Sequence, residues 1–153
     1  MSEQELTHID HRGQASMVDV GHKPPMRRKA IAHGLLTARQ ETLERLFAGD
    51  LPKGEGLAVA RIAGIQAAKR CDELIPLCHT LPLDAVAIEF DRPDPTTVRV
   101  VATAATTART GVEMEALIAA STALLTIWDM LKAIDTDLAI TSVELVEKTK
   151  EAL

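Results

Sequence analysis

The chain has 153 residues, about the length of one domain, and 46% of them are apolar, which is enough for a hydrophobic core and excludes global disorder. Its 17 Lys and Arg against 22 Asp and Glu give a formal net charge of −5, and its aromatic residues are two Phe and one Trp. This acidic balance and this scarcity of stacking side chains argue against a protein that binds nucleic acid.

The sequence is predicted to fold as a single domain, residues 1–153, of which residues 1–14 are polar and expected to be mobile. The N-terminal segment has no cationic end followed by an apolar stretch, so no signal peptide is predicted. The longest apolar run, residues 116–130, contains Asp129 and is shorter than the roughly 20 residues that span a membrane. We therefore expect a soluble cytoplasmic protein that binds no membrane.

Hydrophobic periodicity and turn residues predict eight secondary-structure elements. The strands alternate apolar and polar side chains, and the helices carry apolar residues at helical spacing. Residues 21–25 break the chain, Gly49 ends the first helix, and residues 91–95 are the expected turn of a hairpin. In chain order, strands are predicted over 16–20 and 28–36, helices over 40–48 and 57–72, strands over 86–90 and 98–102, a helix over 110–133 and a strand over 138–146.

Three segments have features beyond their periodicity. Gly64 costs the second helix about 1 kcal/mol relative to Ala, but with the alanines around it makes a face so small that another backbone can approach closely. Pro76 and Pro82 bracket a segment that should be an extended loop. Thr110 and Glu113 have the spacing of a capping box at the start of the long helix.

The order of the elements from residue 28 is strand, helices, strand, strand, helix, strand, which is the split βαβ order of ferredoxin-like proteins. We therefore predict an α+β fold with one antiparallel sheet and helices on one face. The other face of the sheet needs a cover, because an exposed aliphatic sheet aggregates. Oligomerisation is the simplest way to provide it.

Several polar residues could carry chemistry. Cys71, Cys78 and His79 lack the two further spaced ligands of a zinc site, so no metal is predicted. His79 is either a loop histidine satisfied by the backbone or a phosphate donor or general acid, and Cys78 is expected to pack rather than to act as a nucleophile. Glu113 fits the capping box, and Glu115 follows in the first helical turn, where the helix dipole favours an acid.

Asp129 lies late in the long apolar helix, where the helix dipole disfavours an acid. It is either a surface residue paired with Lys132 or Lys148, or half of an acid/base couple with Lys132, which lies on the same helix face. Glu115 and Asp129 are 14 residues apart, so they share a face within about 40° but lie about 21 Å apart along the axis. If both belong to one site, they come from different subunits or contact different ends of an extended ligand, and the first alternative predicts an active site at a subunit interface.

The basic residues suggest an anionic ligand. Lys53 lies in a Pro-Lys-Gly loop that is flexible enough to close over a ligand, and Lys69 lies on a helix, where it could simply pair with Glu73. Residues 23–29 contain a basic cluster that serves either solubility or the binding of phosphate. These patterns alone are compatible with a small α+β enzyme that acts on an anionic substrate.

Three longer motifs are more specific. Residues 60–79 read ARIAGIQAAKRCDELIPLCH, residues 110–117 read TGVEMEAL and residues 126–132 read TIWDMLK. Together with MVDV at residues 17–20, they closely resemble the MoaC family of cyclic pyranopterin monophosphate synthases, which act in molybdenum cofactor biosynthesis. The resemblance extends from about residue 6 to residue 146.

This resemblance implies a ferredoxin-like fold, a homohexamer built as a trimer of dimers, and active sites at the dimer interface. It implies a lyase that converts 3′,8-cyclo-7,8-dihydro-GTP, supplied by an upstream radical SAM GTP cyclase, to cyclic pyranopterin monophosphate with release of pyrophosphate. No cofactor is implied, although Mg²⁺ can accompany the triphosphate. The alternative is a non-catalytic ferredoxin-like regulator that binds a small molecule and does not need Asp129 beside Lys132.

The resemblance also assigns roles to individual residues. The catalytic residues are Asp129, Lys53 and Lys132. The substrate-binding residues are Leu77, Cys78, His79, Met114, Glu115, Lys69 and Arg28. The departures from the family pattern are mild, such as Thr80 where members often have Pro after Leu-Cys-His, and they remove none of these groups.

Overall fold

The computed structural model describes residues 8–153 and contains a four-stranded antiparallel sheet in the order β2-β3-β1-β4. The predicted α+β class is confirmed, and the strand order is consistent with a ferredoxin-like fold. The elements are β1 (Met26–Thr37), α1 (Gln40–Ala48), α2 (Gly56–Lys69), α3 (Cys71–Leu74), β2 (Leu83–Asp94), β3 (Thr97–Ala108), α4 (Glu113–Leu131) and β4 (Ala139–Glu151).

The two central strands bury most of one face. The even-numbered residues from Ala30 to Leu36 of β1 and from Val98 to Thr106 of β3 are buried, because α4 packs across this face. The odd-numbered residues of these strands point to the opposite face, where most are only partly buried. The helices thus lie on one side of the sheet, as predicted.

Helix α4 is the central helix of the core. Its buried residues include Ala120, Leu124, Ile127 and Leu131, each with no exposed surface. Among the helices of residues 8–153, α4 is the one that is long and apolar enough to span a membrane. However, half of its apolar stretch is buried inside the fold. Helix α4 is therefore buried as a core helix of the fold.

The small face of α2 brings two helices into close contact, as predicted. A Cβ at Gly64 would lie 3.0 Å from the carbonyl oxygen of Ala119 on α4 and 3.1 Å from Cδ1 of Ile88 on β2. Ala60, Ala67 and Gly64 are buried along this face. The backbone of α2 therefore lies directly against α4, which fixes the positions of the loops at both ends of α2.

Two predictions about the strands are wrong. Residues 16–20 do not form a strand, because the carbonyls of Val18 and Val20 accept from the ring of His79 and the N–H of Lys23 instead of from a neighbouring strand. The nearby segment forms a single bridge between Ile9 and Ala15. The hairpin turn is shorter than predicted, because β2 continues to Asp94, whose Oδ1 accepts the N–H of Thr96 at 2.9 Å.

The predictions for helix ends were partly wrong. The helix predicted over 57–72 ends at Lys69 and is followed by the short α3. The predicted capping box is absent, since the N-cap of α4 is Val112, two residues after Thr110, and no side chain caps it. The carboxylate of Glu113 instead lies 3.6 Å from Nζ of Lys148.

The N-terminal segment predicted to be mobile, residues 1–14, begins outside the described residues. Its described part forms a turn around Asp10, whose Oδ1 accepts the N–H groups of Arg12 at 2.8 Å and Gln14 at 3.0 Å.

Candidate active site

One carboxylate near the end of α4 binds two ammonium groups. Oδ1 of Asp129 lies 2.7 Å from Nζ of Lys132, and Oδ2 lies 3.1 Å from Nζ of Lys53. Lys53 also donates to the backbone carbonyl of Asp129 at 2.9 Å. All three side chains are between 38% and 58% exposed, so the cluster is open to a ligand. Lys148, the other partner considered for Asp129, pairs with Glu113 instead.

The loop between α1 and α2 places Lys53 at this cluster. Gly49 ends α1 with a φ of 72°, a left-handed conformation that glycine adopts without strain. Leu51 is 7% exposed and holds the loop to the core, and the N–H of Gly54 donates to its carbonyl at 3.0 Å. A short, anchored loop therefore carries the lysine across to the end of α4.

The two lysines determine the charge state of Asp129. The hydrogen bond from Lys132, followed by that from Lys53, holds the pKa of the Asp129 carboxyl below its usual value. The carboxylate therefore stays ionised at neutral pH and orients two ammonium groups towards solvent. Such a cluster can donate protons to a bound anion and take them back.

A cavity of about 340 Å³ lies at the opposite end of α4. Five of the residues assigned to substrate binding line it together, although they come from two distant segments of the chain. These residues are Leu77, Cys78, His79, Met114 and Glu115. The cavity is also lined by His8, Val18, Val20, Lys23, Leu81, Thr110, Gly111 and Glu113. Of these residues, only Lys23 was predicted from the sequence to contact a ligand, as part of the basic cluster.

His79 is tied to the backbone on one side of its ring. Its Nε2 lies 2.7 Å from the carbonyl oxygen of Val18. A carbonyl only accepts, so Nε2 carries the hydrogen, and in the neutral ring the lone pair is on Nδ1. The backbone therefore satisfies Nε2, whereas Nδ1 forms no hydrogen bond within residues 8–153, and a role in binding phosphate or in acid catalysis stays a prediction.

Glu115 is a buried acid in the wall of this cavity. It is 4% exposed, and burial is the main cause that raises its pKa, with the charges of Glu113 and Asp72 adding to it. The thiol of Cys71 lies nearby, and burial followed by the charge of Glu115 raises its pKa to about 12. Burial also raises the pKa of Cys78, so neither thiol is activated as a nucleophile.

Lys69 and Arg28 line two other cavities, each of which shares a lining residue with the first one. Lys69 shares a cavity of about 390 Å³ with Leu81, which also lines the first cavity. Arg28 shares a cavity of about 200 Å³ with Gly111, another common lining residue. Its Nη2 donates to the carbonyl of Arg109 at 3.3 Å, whereas its buried Nε has no partner in residues 8–153. Lys148 and Lys150 line the same cavity as Arg28, and their association with it was not predicted.

The predicted site residues thus form two groups at the two ends of α4. Glu115 belongs to the first turn of this helix and Asp129 to its last turn. Fourteen residues of helix correspond to about 21 Å, as the sequence analysis anticipated. A small compact ligand cannot touch both groups within one protomer.

The chain can now be compared with known proteins. The model of the MoaC family matches residues 17–151. The chain belongs to the MoaC family. It is 55% identical over 146 residues to the cyclic pyranopterin monophosphate synthase of Roseiflexus sp. (strain RS-1), covering 95% of this chain and 92% of that protein. Proteins of the same name from Pelotomaculum thermopropionicum and Novosphingobium aromaticivorans are 53% and 54% identical, covering 94% of this chain and 85% and 91% of theirs.

Both groups of site residues lie within the part of the chain that the MoaC family model matches. The Asp129 group comes from the TIWDMLK motif and the α1–α2 loop, and the cavity group comes from the LCH and TGVEMEAL motifs. Short spacing could predict the contact of Asp129 with Lys132. It could not predict Lys53, which is 76 residues away from Asp129 and was assigned by the resemblance alone.

Proposed function

We propose that this chain is a cyclic pyranopterin monophosphate synthase of molybdenum cofactor biosynthesis. It converts 3′,8-cyclo-7,8-dihydro-GTP to cyclic pyranopterin monophosphate and releases pyrophosphate, which makes it a lyase. The observation that carries the proposal is the cluster of Asp129, Lys53 and Lys132, formed by motif residues of a chain that is 53–55% identical to synthases of this name. A non-catalytic regulator would have no use for a carboxylate between two exposed ammonium groups.

The reaction needs proton transfers and a phosphate displacement. The purine imidazole ring opens, an amine closes onto a carbonyl, and a hydroxyl oxygen attacks the α-phosphorus while the bond to the β-phosphate breaks. We assign the proton transfers to Lys53 and Lys132, with Asp129 holding both in place. Cationic side chains would stabilise the charge of the departing pyrophosphate.

The cavity at the other end of α4 would hold the substrate. Nδ1 of His79 forms no hydrogen bond within residues 8–153, and in the imidazolium form its N–H can donate to a phosphate oxygen, as can Lys69 and Arg28 in the adjoining cavities. The carboxyl group of Glu115 can hydrogen-bond the base: it accepts from an N–H when ionised and donates to a carbonyl or ring nitrogen when protonated, the form that its burial favours. Leu77, Cys78 and Met114 would pack against the ring. We expect no resident cofactor, and Mg²⁺ would enter with the triphosphate.

We further propose that each active site is shared by two protomers. Residues of α4 that are three or four positions apart lie on one face of the helix. If two such faces pack antiparallel about Thr122, Asp129 of one protomer lies opposite Glu115 of the other. Leu125, Val59 and Ile62 are 44–60% exposed and would be covered by such packing. The face consists of residues 115, 118, 122, 125, 129 and 132. Three such dimers would form the expected homohexamer.

The substrate class also defines the cellular context. The cyclised GTP must be supplied by an upstream enzyme, for which the radical SAM GTP cyclase is the expected partner. A phosphorylated biosynthetic intermediate of this kind is available in the cytoplasm, where we place the protein.

The direct test is incubation of the purified protein with the cyclised GTP, measuring pterin product and pyrophosphate. The wild type should form both in equal amounts, whereas Lys53→Ala and Asp129→Asn should lose activity by at least about a hundredfold, the usual contribution of an acid/base group. Asp91→Asn, which breaks an ion pair with Arg99 on the β2–β3 hairpin, is the control and should retain activity. Tight binding of the substrate without turnover by the wild type would instead indicate the regulator.

A further inference from the structure

The segment that joins α3 to β2 forms part of the wall of the 340 Å³ cavity lined by His79 and Glu115. Its first half is held by a backbone hydrogen bond of 3.1 Å from Cys78 to Ile75. Residues 79–81 form no backbone–backbone hydrogen bond within residues 8–153, and the neighbouring Pro82 has no N–H to donate. The conformation of this second half therefore depends on side chains.

Three side-chain hydrogen bonds, each of 2.7 Å, hold this second half. Nε2 of His79 donates to the carbonyl of Val18, Oγ1 of Thr106 donates to the carbonyl of Pro82, and Oγ1 of Thr80 donates to Oδ2 of Asp72. The first bond reaches the irregular N-terminal segment and the second reaches β3. Of these three bonds, only the one from Thr80 joins residues 79–82 to the helical layer.

We propose that Asp72 and Thr80 are positioning residues for the reaction: their hydrogen bond fixes the strand-like segment that carries Cys78 and His79 into the cavity. The proposal rests on the proposed function of that cavity. Neither residue lines the cavity itself, so neither is expected to touch the substrate.

Asp72 is a suitable anchor because of its place in the fold. It follows Cys71, which is 2% exposed, at the start of α3, so its backbone is held by the core. Thr80 is exposed and directly follows His79. Loss of the bond would release the wall at the position next to the histidine without exposing any core residue.

Thr80 isolates this effect better than Asp72 does. The charge of Asp72 also acts on the cavity, where it adds to the effect of burial on the pKa of Glu115. Substitution of Asp72 would therefore change both the tether and the electrostatics. Thr80→Val removes only the hydroxyl and keeps the shape of the side chain, and Thr80→Ser keeps the hydroxyl.

The experiment is steady-state kinetics of the full-length chain with the cyclised GTP, together with thermal unfolding. Thr80→Val should raise KM by about threefold to tenfold, the range expected for one hydrogen bond, with kcat changed less than twofold. Thr80→Ser should restore the wild-type KM. Thr96→Val is the matched control, because it removes a 3.1 Å threonine–aspartate bond to Asp94 in the β2–β3 turn, and it should change neither constant. In the Asp72→Ala background, where the acceptor is already missing, Thr80→Val should leave KM nearly unchanged, so the ratio of the two KM values should be about one.

The outcomes separate this inference from the proposed function. If the wild type forms no product, the proposed function fails and the kinetics of the variants have no meaning. If the wild type is active but Thr80→Val has the KM of Thr96→Val, the positioning role is refuted. A fall in kcat at constant KM, together with a lower Tm, would also refute it, because it would show a loss of folded protein rather than a displaced wall.

Discussion

Asp135 provides a test of how the structure is held together beside the Asp129 cluster. It is 2% exposed and lies in the turn after α4. Its Oδ2 accepts the backbone N–H of Arg39 at 2.9 Å, and its Oδ1 accepts the N–H of Asp137 at 2.7 Å. Arg39 is the N-cap of α1 and has no side-chain cap of its own. One buried carboxylate thus joins the start of α1 to the end of α4.

The expected cost of Asp135→Ala follows from these two bonds. A hydrogen bond to a charged group contributes about 1.5–3 kcal/mol, and the variant leaves two N–H groups without an acceptor. Because water can partly replace the carboxylate at a turn, we take the lower end and expect a loss of about 3 kcal/mol. For a chain of this size that lowers Tm by about 6–12 °C.

The pH dependence has a defined sign. Burial disfavours the ionised form of Asp135, but the hydrogen bonds from Arg39 and Asp137 outweigh it, so its pKa lies below 3.8 in the folded protein. A lowered pKa stabilises the fold above the unfolded value, and this stabilisation is lost as the pH falls through the folded value. The difference in stability between wild type and Asp135→Ala should therefore be greatest at neutral pH and shrink below about pH 4.

Urea unfolding of both proteins at pH 7 and pH 3 measures this difference. Asp94→Ala is the control, because Asp94 accepts the N–H of Thr96 at 2.9 Å in an exposed turn. It should have little effect on stability. Equal losses for Asp135→Ala and Asp94→Ala would refute the argument, since burial is what distinguishes the two carboxylates.

Two further predictions concern the core. The pKa of Cys71, raised from 9.0 to about 12 mainly by burial, lowers its thiolate fraction at pH 8 by about a thousandfold, so a thiol reagent should modify at most Cys78 in the native chain. Rapid modification of both thiols would contradict this. Gly64→Val should cost about 3 kcal/mol by urea unfolding, because its side chain would meet the carbonyl of Ala119, which cannot move away. A variant as stable as wild type would show that α2 and α4 are not in close contact.

The sequence was sufficient where the determining interactions are local. The bounds of α1 follow from helical spacing and the glycine that ends it, and the contact of Asp129 with Lys132 follows from a separation of three residues. The capping box failed, although its spacing was right, because the helix begins at Glu113 rather than Gly111. The local spacing could not predict this start, because Val112 at the N-cap position is 1% exposed and is held by the core.

Long-range contacts could not be predicted from the residues alone. A strand over 16–20 was plausible by composition, but composition does not show that the carbonyls of Val18 and Val20 accept from His79 and Lys23 instead of from a neighbouring strand. The bond of His79 to Val18 joins residues 61 positions apart, and that of Lys53 to Asp129 joins residues 76 apart. No periodicity encodes such separations, so the site could be assembled only from the family resemblance and then from the structure.

The central claim is that one active site combines the Asp129 end of one protomer with the Glu115 end of another. Subunit mixing tests it most directly, using Asp129→Asn and Glu115→Ala, each first shown to be inactive by itself. After co-expression in equal amounts, half of the sites receive an intact Asp129 from one protomer. Half of those sites also receive an intact Glu115 from the other protomer, so activity should recover to about one quarter of the wild-type value. A mixture that remains inactive, although mass spectrometry shows mixed oligomers, would contradict the shared site.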